Sequence, residues 1–399
     1  MKTLLIDDEP FVLKLLARQL EQLGLNELLL CESAQQALET LGSSVCTIDL
    51  IFCDLQMPAM DGVQFIRELV ALGYRGRLVL VSGEDARILQ SAEKLARAQR
   101  LDVLGALHKP VRSRDLRALL APRPVQTSVT PRKARRQYSP DELRHAIDAG
   151  QLINYYQPKV CLRTGKPAGM ETLVRWSHPR DGLVFPDQFI TTAEECGLIN
   201  RLTRAVLVNA LTQTRIWLDA GLDLPVAVNV SMDDLCDLDF PEFVARAAGE
   251  AGISLTRLTL EVTESRLMSD PLTAMDILTR LRLKGVVLSI DDFGTGHSSL
   301  SQLRDLPFNE LKVDRGFVHG AARDTPRRSI LDASLRLARE LDMDTVAEGV
   351  EDADDWNHLR TTGCTLAQGW FIARAMPGEA IPGWVAEWNG GSMVSGAMQ

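Results

Sequence analysis

Acidic residues recur through the second half of this chain at the ends of short apolar runs. Glu171, Glu261, Asp291, Asp292 and Glu348 hold such places in AGMETLVRW, LTLEVTES, VVLSIDDFG and TVAEGVE. Asn229 in VAVNVS, Lys312 in ELKVD and Gln368 in LAQGW hold equivalent ones. Continuous Val/Ile/Leu runs are the mark of strands buried on both faces. In a (β/α)8 barrel the chemistry gathers where those strands end. Acids brought together from separate strands repel one another unless a cation neutralises them. Hard oxygen donors with one amide and one ammonium predict Mg²⁺ or Mn²⁺ and a phosphate ester. The expected chemistry is metal-dependent cleavage of a phosphodiester.

Asp291 and Asp292 are adjacent, and adjacent side chains on a strand point to opposite sides. Both reach one site only where the strand ends and the chain turns; Gly294 and Gly296 give that turn its backbone freedom. A carboxylate there can bridge two cations, as two-metal hydrolysis requires.

A second constellation lies near the N-terminus. Asp7 and Asp8 follow the run TLLI, Asp54 ends FCD, Ser82 ends LVLVS and Lys109 follows LGALH. Three carboxylates, a hydroxyl and an ammonium at strand ends make a site for one divalent cation and one phosphoryl group. The acids hold the metal, Asp54 attacks phosphorus, and Ser82 with Lys109 receives the new oxygens.

The elements that must position these groups differ between the two halves. TLLI, LIFCDL, RLVLVSG and LGALHKP are strand-like and alternate with amphipathic stretches such as PFVLKLLARQLEQLG, which ends at Gly24. That alternation predicts a doubly wound parallel sheet with its site at the C-terminal edge. Residues 122–137, PRPVQTSVTPRKARRQ, lack apolar periodicity and are predicted to form a linker. Beyond it, SPDELRHAIDAG predicts a helix with Ser139 as N-cap, Pro140 at its first position and Glu142 closing a capping box. The barrel is expected over 138–388, with a small, polar tail over 389–399.

At 399 residues the chain has room for two or three domains, and its 45% apolar and 24% charged content is ordinary for a soluble protein. A net charge of −9 argues against a general nucleic-acid binder. MKTLLIDDEP has too short an apolar stretch for a signal peptide, and no run is long enough for a membrane span. Seven scattered cysteines without a CxxC pair disfavour disulfides and zinc, so a reducing cytoplasm is expected.

The motifs IDDEP, CDLQMPAMDG and HKP resemble the receiver domain of two-component response regulators over residues 1–121. The resemblance implies a doubly wound (βα)5 domain with Asp54 as phosphoacceptor and Asp7 and Asp8 holding Mg²⁺. Ser82 becomes the switch hydroxyl and Lys109 the partner lysine, and a cognate histidine kinase or phosphotransfer protein is implied as donor. One position departs: Ala106 stands three residues before Lys109, where the family usually carries an aromatic switch residue.

The motifs QPK, ETLVRW, NVS, EVTES, DDFGTGHSSL, KVD, AEGVE and AQGWFIARAMP resemble the EAL family of cyclic-di-GMP phosphodiesterases over residues 138–388. The resemblance implies a TIM-like (β/α)8 barrel and hydrolysis of cyclic di-GMP to linear 5′-pGpG with two Mg²⁺ or Mn²⁺ ions. Glu171, Asn229, Glu261 and Asp291 would hold one ion, and Asp291, Asp292 and Glu348 the other. Lys312, with Glu171 and Glu348, would be catalytic, Lys312 orienting or deprotonating the attacking water. Arg175 would grip a phosphate, while Gln157, Asp314 and Gln368 support substrate or the metal shell. Glu264 would anchor the DDFG loop, and a homodimer or larger homo-oligomer through the barrel is implied. The alternative is a catalytically silent cyclic-di-GMP receptor acting through protein contacts. DNA and membrane partners are not expected. Thr172 stands where the family's motif has alanine, and little effect is expected of it.

Overall fold

The computed structural model describes residues 1–42, 48–83, 86–120, 138–263, 271–293 and 300–389. The chain divides into two compact units, Met1–Pro131 and Arg132–Gln399. The predicted linker, the tail from 390 onward, Glu264, Gly294 and Gly296 lie outside the described residues.

The first unit holds five parallel strands: β1 (Thr3–Ile6), β2 (Leu28–Cys31), β3 (Leu50–Asp54), β4 (Arg77–Ser82) and β5 (Asp102–His108). Their spatial order is β2-β1-β3-β4-β5. The chain winds one way from β1 to β2 and the other way from β3 onward. The crevice between β1 and β3 is therefore the switch point, where such sheets bind ligands. The helix Pro10–Glu21 buries Leu13, Leu16 and Leu20, the three-and-four spacing of one helical face. It stops short of Gly24, the end expected from the sequence. Four of the five strands match the expected apolar runs. The fifth, β2, was not expected; it is an edge strand of which only Cys31 is buried.

The second unit holds β6 (Leu152–Cys161), β7 (Pro167–His178), β8 (Gly182–Val184), β9 (Val226–Val230), β10 (Leu258–Thr263), β11 (Val287–Phe293), β12 (Glu310–Val313), β13 (Asp344–Ala347), β14 (Leu366–Ala367) and β15 (Met376–Pro377). Eight of them close a barrel in the order β6-β7-β9-β10-β11-β12-β13-β14 and back to β6, with β8 and β15 added at its margin. The predicted capping box is present on the helix Pro140–Asp148, with Ser139 and Glu142 bonded reciprocally.

The TIM-like (β/α)8 barrel expected from the sequence is present, with one strand reversed. β6 runs antiparallel to both neighbours, β7 and β14. Only five residues separate β6 from β7, enough for a hairpin but too few for the crossover that a parallel pair needs. Gly165 makes the turn at φ +69°. The other seven barrel strands run the same way, so their C-terminal ends share one mouth. Outside them, the helix Ile199–Asp219 buries Leu202, Val206, Leu207, Leu211 and Trp217. Trp217 meets Tyr156 of β6 edge-on at 4.8 Å and donates its indole N–H to Gly378 O at 3.0 Å. A ring buried to this depth contributes about 2–3 kcal/mol of apolar burial.

Candidate active site

Lys312 is the centre of the barrel mouth. It lies on β12 and is 1% exposed, and its Nζ lies 2.7 Å from Glu348, 2.9 Å from Glu261, 3.1 Å from Asp291 and 3.7 Å from Glu171. Those carboxylates come from four different strands or strand ends. Register explains the convergence: Glu261 of β10 sits beside Asn229 of β9, and Gln157 of β6 sits opposite Glu171 of β7. Asn229 Nδ2 reaches toward Glu171 Oε1 at 3.3 Å and Glu261 Oε2 at 3.4 Å. One placement differs from expectation. Glu171 lies mid-strand, because β7 continues past the mouth to pair with β8.

The adjacent acids reach the same site through a break in the strand. Register shifts between Ile290 and Phe293 where β11 pairs with β12, and Asp292 adopts φ +56°. An extra residue in a left-handed conformation is how a β-bulge re-aims a side chain. Asp291, Asp292 and Glu348 thereby offer carboxylate oxygens within 4.8 Å of one another. The turn that two adjacent acids require is made inside β11 itself, before Gly294.

Lys312, with Lys159 reaching Glu261 alone, cannot balance these four carboxylates. Burial pushes the Glu348 carboxyl up to about 8 even with Lys312 beside it, and Asp291 and Glu171 add to the push. Burial likewise raises Glu171, and burial with Asp291 and Asp314 raises Asp292. Glu261 goes the other way: burial alone would raise it, but Lys159 and Lys312 outweigh burial and hold it down to about 2. A site of hard oxygens with surplus negative charge suits divalent cations of the Mg²⁺ and Mn²⁺ type.

Gln368 Nε2 donates to Glu171 Oε2 at 2.5 Å and to Gln157 Oε1 at 3.1 Å, and Gln157 Nε2 donates to Ala373 O at 3.0 Å. Two amides thus fix the orientation of Glu171. Asp314 caps the short helix Arg315–Val318 through Gly316 N at 2.8 Å. Arg175 lies on β7, four residues from Glu171, with its guanidinium over Phe185 at 4.9 Å and Tyr155 at 5.6 Å. A cleft lined by Gln157, Glu171, Asp291, Glu348, Arg315 and Trp370 opens from the acids.

Two buried groups were not expected from the sequence. Lys159, in the QPK motif, is 3% exposed, and Glu310, two residues before Lys312, is 7% exposed. The period of a strand was the available signal: Glu310 and Lys312 must share a face.

In the first unit, Lys109 Nζ lies 2.7 Å from Asp54 Oδ2 and 2.7 Å from Asp7 Oδ2. Asp7, Asp8 and Asp54 offer oxygens within 4.8 Å of one another. Burial raises the Asp54 carboxyl against the pull of Lys109. Ser82 closes β4 beside β5 and is fully buried. Ala106 is partly buried on β5, packed against the core.

Residues 140–375 match the EAL domain, and residues 3–121 match the response regulator receiver domain. The chain belongs to the EAL domain family. It carries a receiver domain as its first unit. The cyclic di-GMP phosphodiesterase RocR of Pseudomonas aeruginosa is 31% identical over 379 residues, covering 94% of this chain and 96% of RocR. The bifunctional diguanylate cyclase/cyclic di-GMP phosphodiesterase MucR of the same organism is 42% identical over 241 residues, covering 60% of this chain. The match spans only 35% of MucR's length. A solved structure described as the PaMucR phosphodiesterase in complex with c-di-GMP superposes with a TM-score of 0.58 at 42% identity, covering 60% of this chain and 98% of that one. Among the described residues, no helix is long and apolar enough to cross a membrane.

Proposed function

We propose that this EAL protein is a response regulator that hydrolyses cyclic di-GMP to linear 5′-pGpG with two divalent cations. The observation that carries the reading is the convergence of Glu171, Glu261, Asp291 and Glu348 on the buried ammonium of Lys312. The full-length likeness to RocR, named as a cyclic di-GMP phosphodiesterase, supports the substrate.

In this reading Glu171, Asn229, Glu261 and Asp291 hold one cation, and Asp291, Asp292 and Glu348 hold the second. When bound, the cations polarise the phosphate and make water a nucleophile at neutral pH. Lys312 orients the attacking water or takes its proton, and Arg175 grips a non-bridging phosphate oxygen. Gln368 and Gln157 keep Glu171 in place, and Asp314 fixes the turn after Lys312. Glu264 anchors the DDFG loop.

In the receiver unit, Asp54 accepts the phosphoryl group from a histidine kinase or phosphotransfer protein, Asp7 and Asp8 hold Mg²⁺, and Ser82 and Lys109 bind the phosphate. The EAL unit is proposed to assemble as a homodimer or larger homo-oligomer, in the cytoplasm. Turnover by the wild type and by Glu171→Gln separates this reading from a silent receptor. The reading expects 5′-pGpG from the wild type and none from the variant; binding of cyclic di-GMP by the wild type without any product overturns it.

A further inference from the structure

Lys159 and Glu310 are buried in the barrel and have no part in the chemistry above. Lys159 Nζ lies 2.8 Å from Glu261 Oε1 and 3.1 Å from Glu310 Oε1. The other oxygen of Glu261 has different company: Oε2 lies 2.9 Å from Lys312 Nζ and 3.4 Å from Asn229 Nδ2. The depth of each partner follows from register. Lys159 pairs with Gly169, two residues before Glu171 on β7, and Glu310 opens β12 two residues before Lys312. From the barrel interior toward its mouth the charges therefore alternate: Glu310, Lys159, Glu261, Lys312, then Glu171, Asp291 and Glu348. Glu261 turns Oε1 inward to Lys159 and Oε2 outward to the mouth.

Stability alone does not call for such an arrangement, because an apolar pair of similar volume serves a core as well as a buried ion pair does. We propose that Lys159 is a positioning residue that leaves Glu261 a single outward oxygen, and so sets which cation the mouth accepts. Mg²⁺ takes six donors in a near-octahedral shell at about 2.0–2.1 Å, which single-oxygen carboxylates satisfy. Ca²⁺ takes about six to eight oxygens and accepts bidentate carboxylates. By holding Oε1, Lys159 withholds the oxygen that would favour the larger ion. Glu310 supplies the opposite charge that keeps Lys159 deep in the barrel.

The inference rests on the metal reading of the mouth, and the test separates the two. Calorimetric titration of the metal-free, full-length protein with Mg²⁺ and with Ca²⁺ gives the ratio of their dissociation constants without substrate. The double variant Lys159→Met/Glu310→Gln removes the lysine without leaving Glu310 charged and unpaired. With Oε1 of Glu261 freed, the ratio is expected to shift toward Ca²⁺ by about tenfold. A folded double variant whose ratio matches wild type overturns the inference and leaves the metal reading intact. A wild type that binds neither ion overturns both. A crystal structure of the Mg²⁺-loaded wild type gives a check independent of any variant. One Glu261 oxygen on the ion with the other still on Lys159 supports the inference, and two oxygens on the ion overturn it.

Discussion

At the scale of single residues, the charge on Glu348 is the most telling. In the metal-free protein its carboxyl is pushed up to about 8, burial being the main cause. The sign follows directly: below that pH the neutral form prevails, and a cation must displace the proton to use the carboxylate. Cation binding should therefore tighten as pH rises toward 8 and release a proton below it. Calorimetry in buffers of different ionisation enthalpy measures that release, and binding that is independent of buffer and of pH between 6 and 8 (about two units spanning neutrality) contradicts it. Lys312→Ala should lower kcat by about two orders of magnitude with substrate binding kept. A rise in KM alone would move Lys312 from catalysis to binding. Thr172 is buried, and its hydroxyl has no protein partner. Thr172→Val keeps the shape and removes that hydroxyl, so a gain of about 1 kcal/mol in stability is expected by denaturant unfolding, with turnover unchanged. The residue types of the mouth were legible in the sequence because acids at strand ends have few structural reasons to recur. Lys159 and Glu310 were not, because a lysine after Gln-Pro and a glutamate opening a strand have the same letters on a surface as in a core.

At the scale of elements, strands β7 and β9–β14 were visible as apolar runs, and so was the capping box at Ser139. β6 was not visible as a strand. LINYYQPKVC mixes Tyr, Gln, Pro and Lys, and its burial does not follow a clean alternation. Its reversed direction depended on the length of the loop to β7, which the apolar pattern does not encode. The need for a turn at Asp292 was legible, but its location inside β11 is a property of pairing with β12 that no single strand displays. The loop after β14 depends on close approach: a Cβ on Gly369 would meet Val350 O at 2.1 Å and Val350 N at 2.3 Å. Gly369→Ala must push that loop off the β13 end and carry Gln368 with it. A loss of about 2 kcal/mol in stability and a marked fall in turnover are expected together. Unfolding and kinetics that both match wild type would show that the contact yields freely.

At the scale of the whole molecule, two units carry two acidic sites, and the sequence separated them through motif spacing and the polar stretch between. The chain resembles RocR along nearly its full length. Because the sites belong to different units, Asp54→Ala should abolish any response to a small phosphodonor while leaving basal hydrolysis in place. With Ala106 unable to swing as an aromatic ring does, that response should be modest, on the order of tenfold. Loss of basal hydrolysis in a folded Asp54→Ala protein would mean the two sites are not independent. The barrel mouth is expected to cleave cyclic di-GMP only with divalent cations in place. Metal-stripped protein mixed with cyclic di-GMP, then supplied with Mg²⁺, Mn²⁺ or Ca²⁺ and followed by chromatography, measures that dependence. No product is expected before addition, 5′-pGpG after Mg²⁺ or Mn²⁺, and little after Ca²⁺; product formed in the presence of excess chelator, or full turnover with Ca²⁺ alone, would mean that cleavage does not depend on these cations.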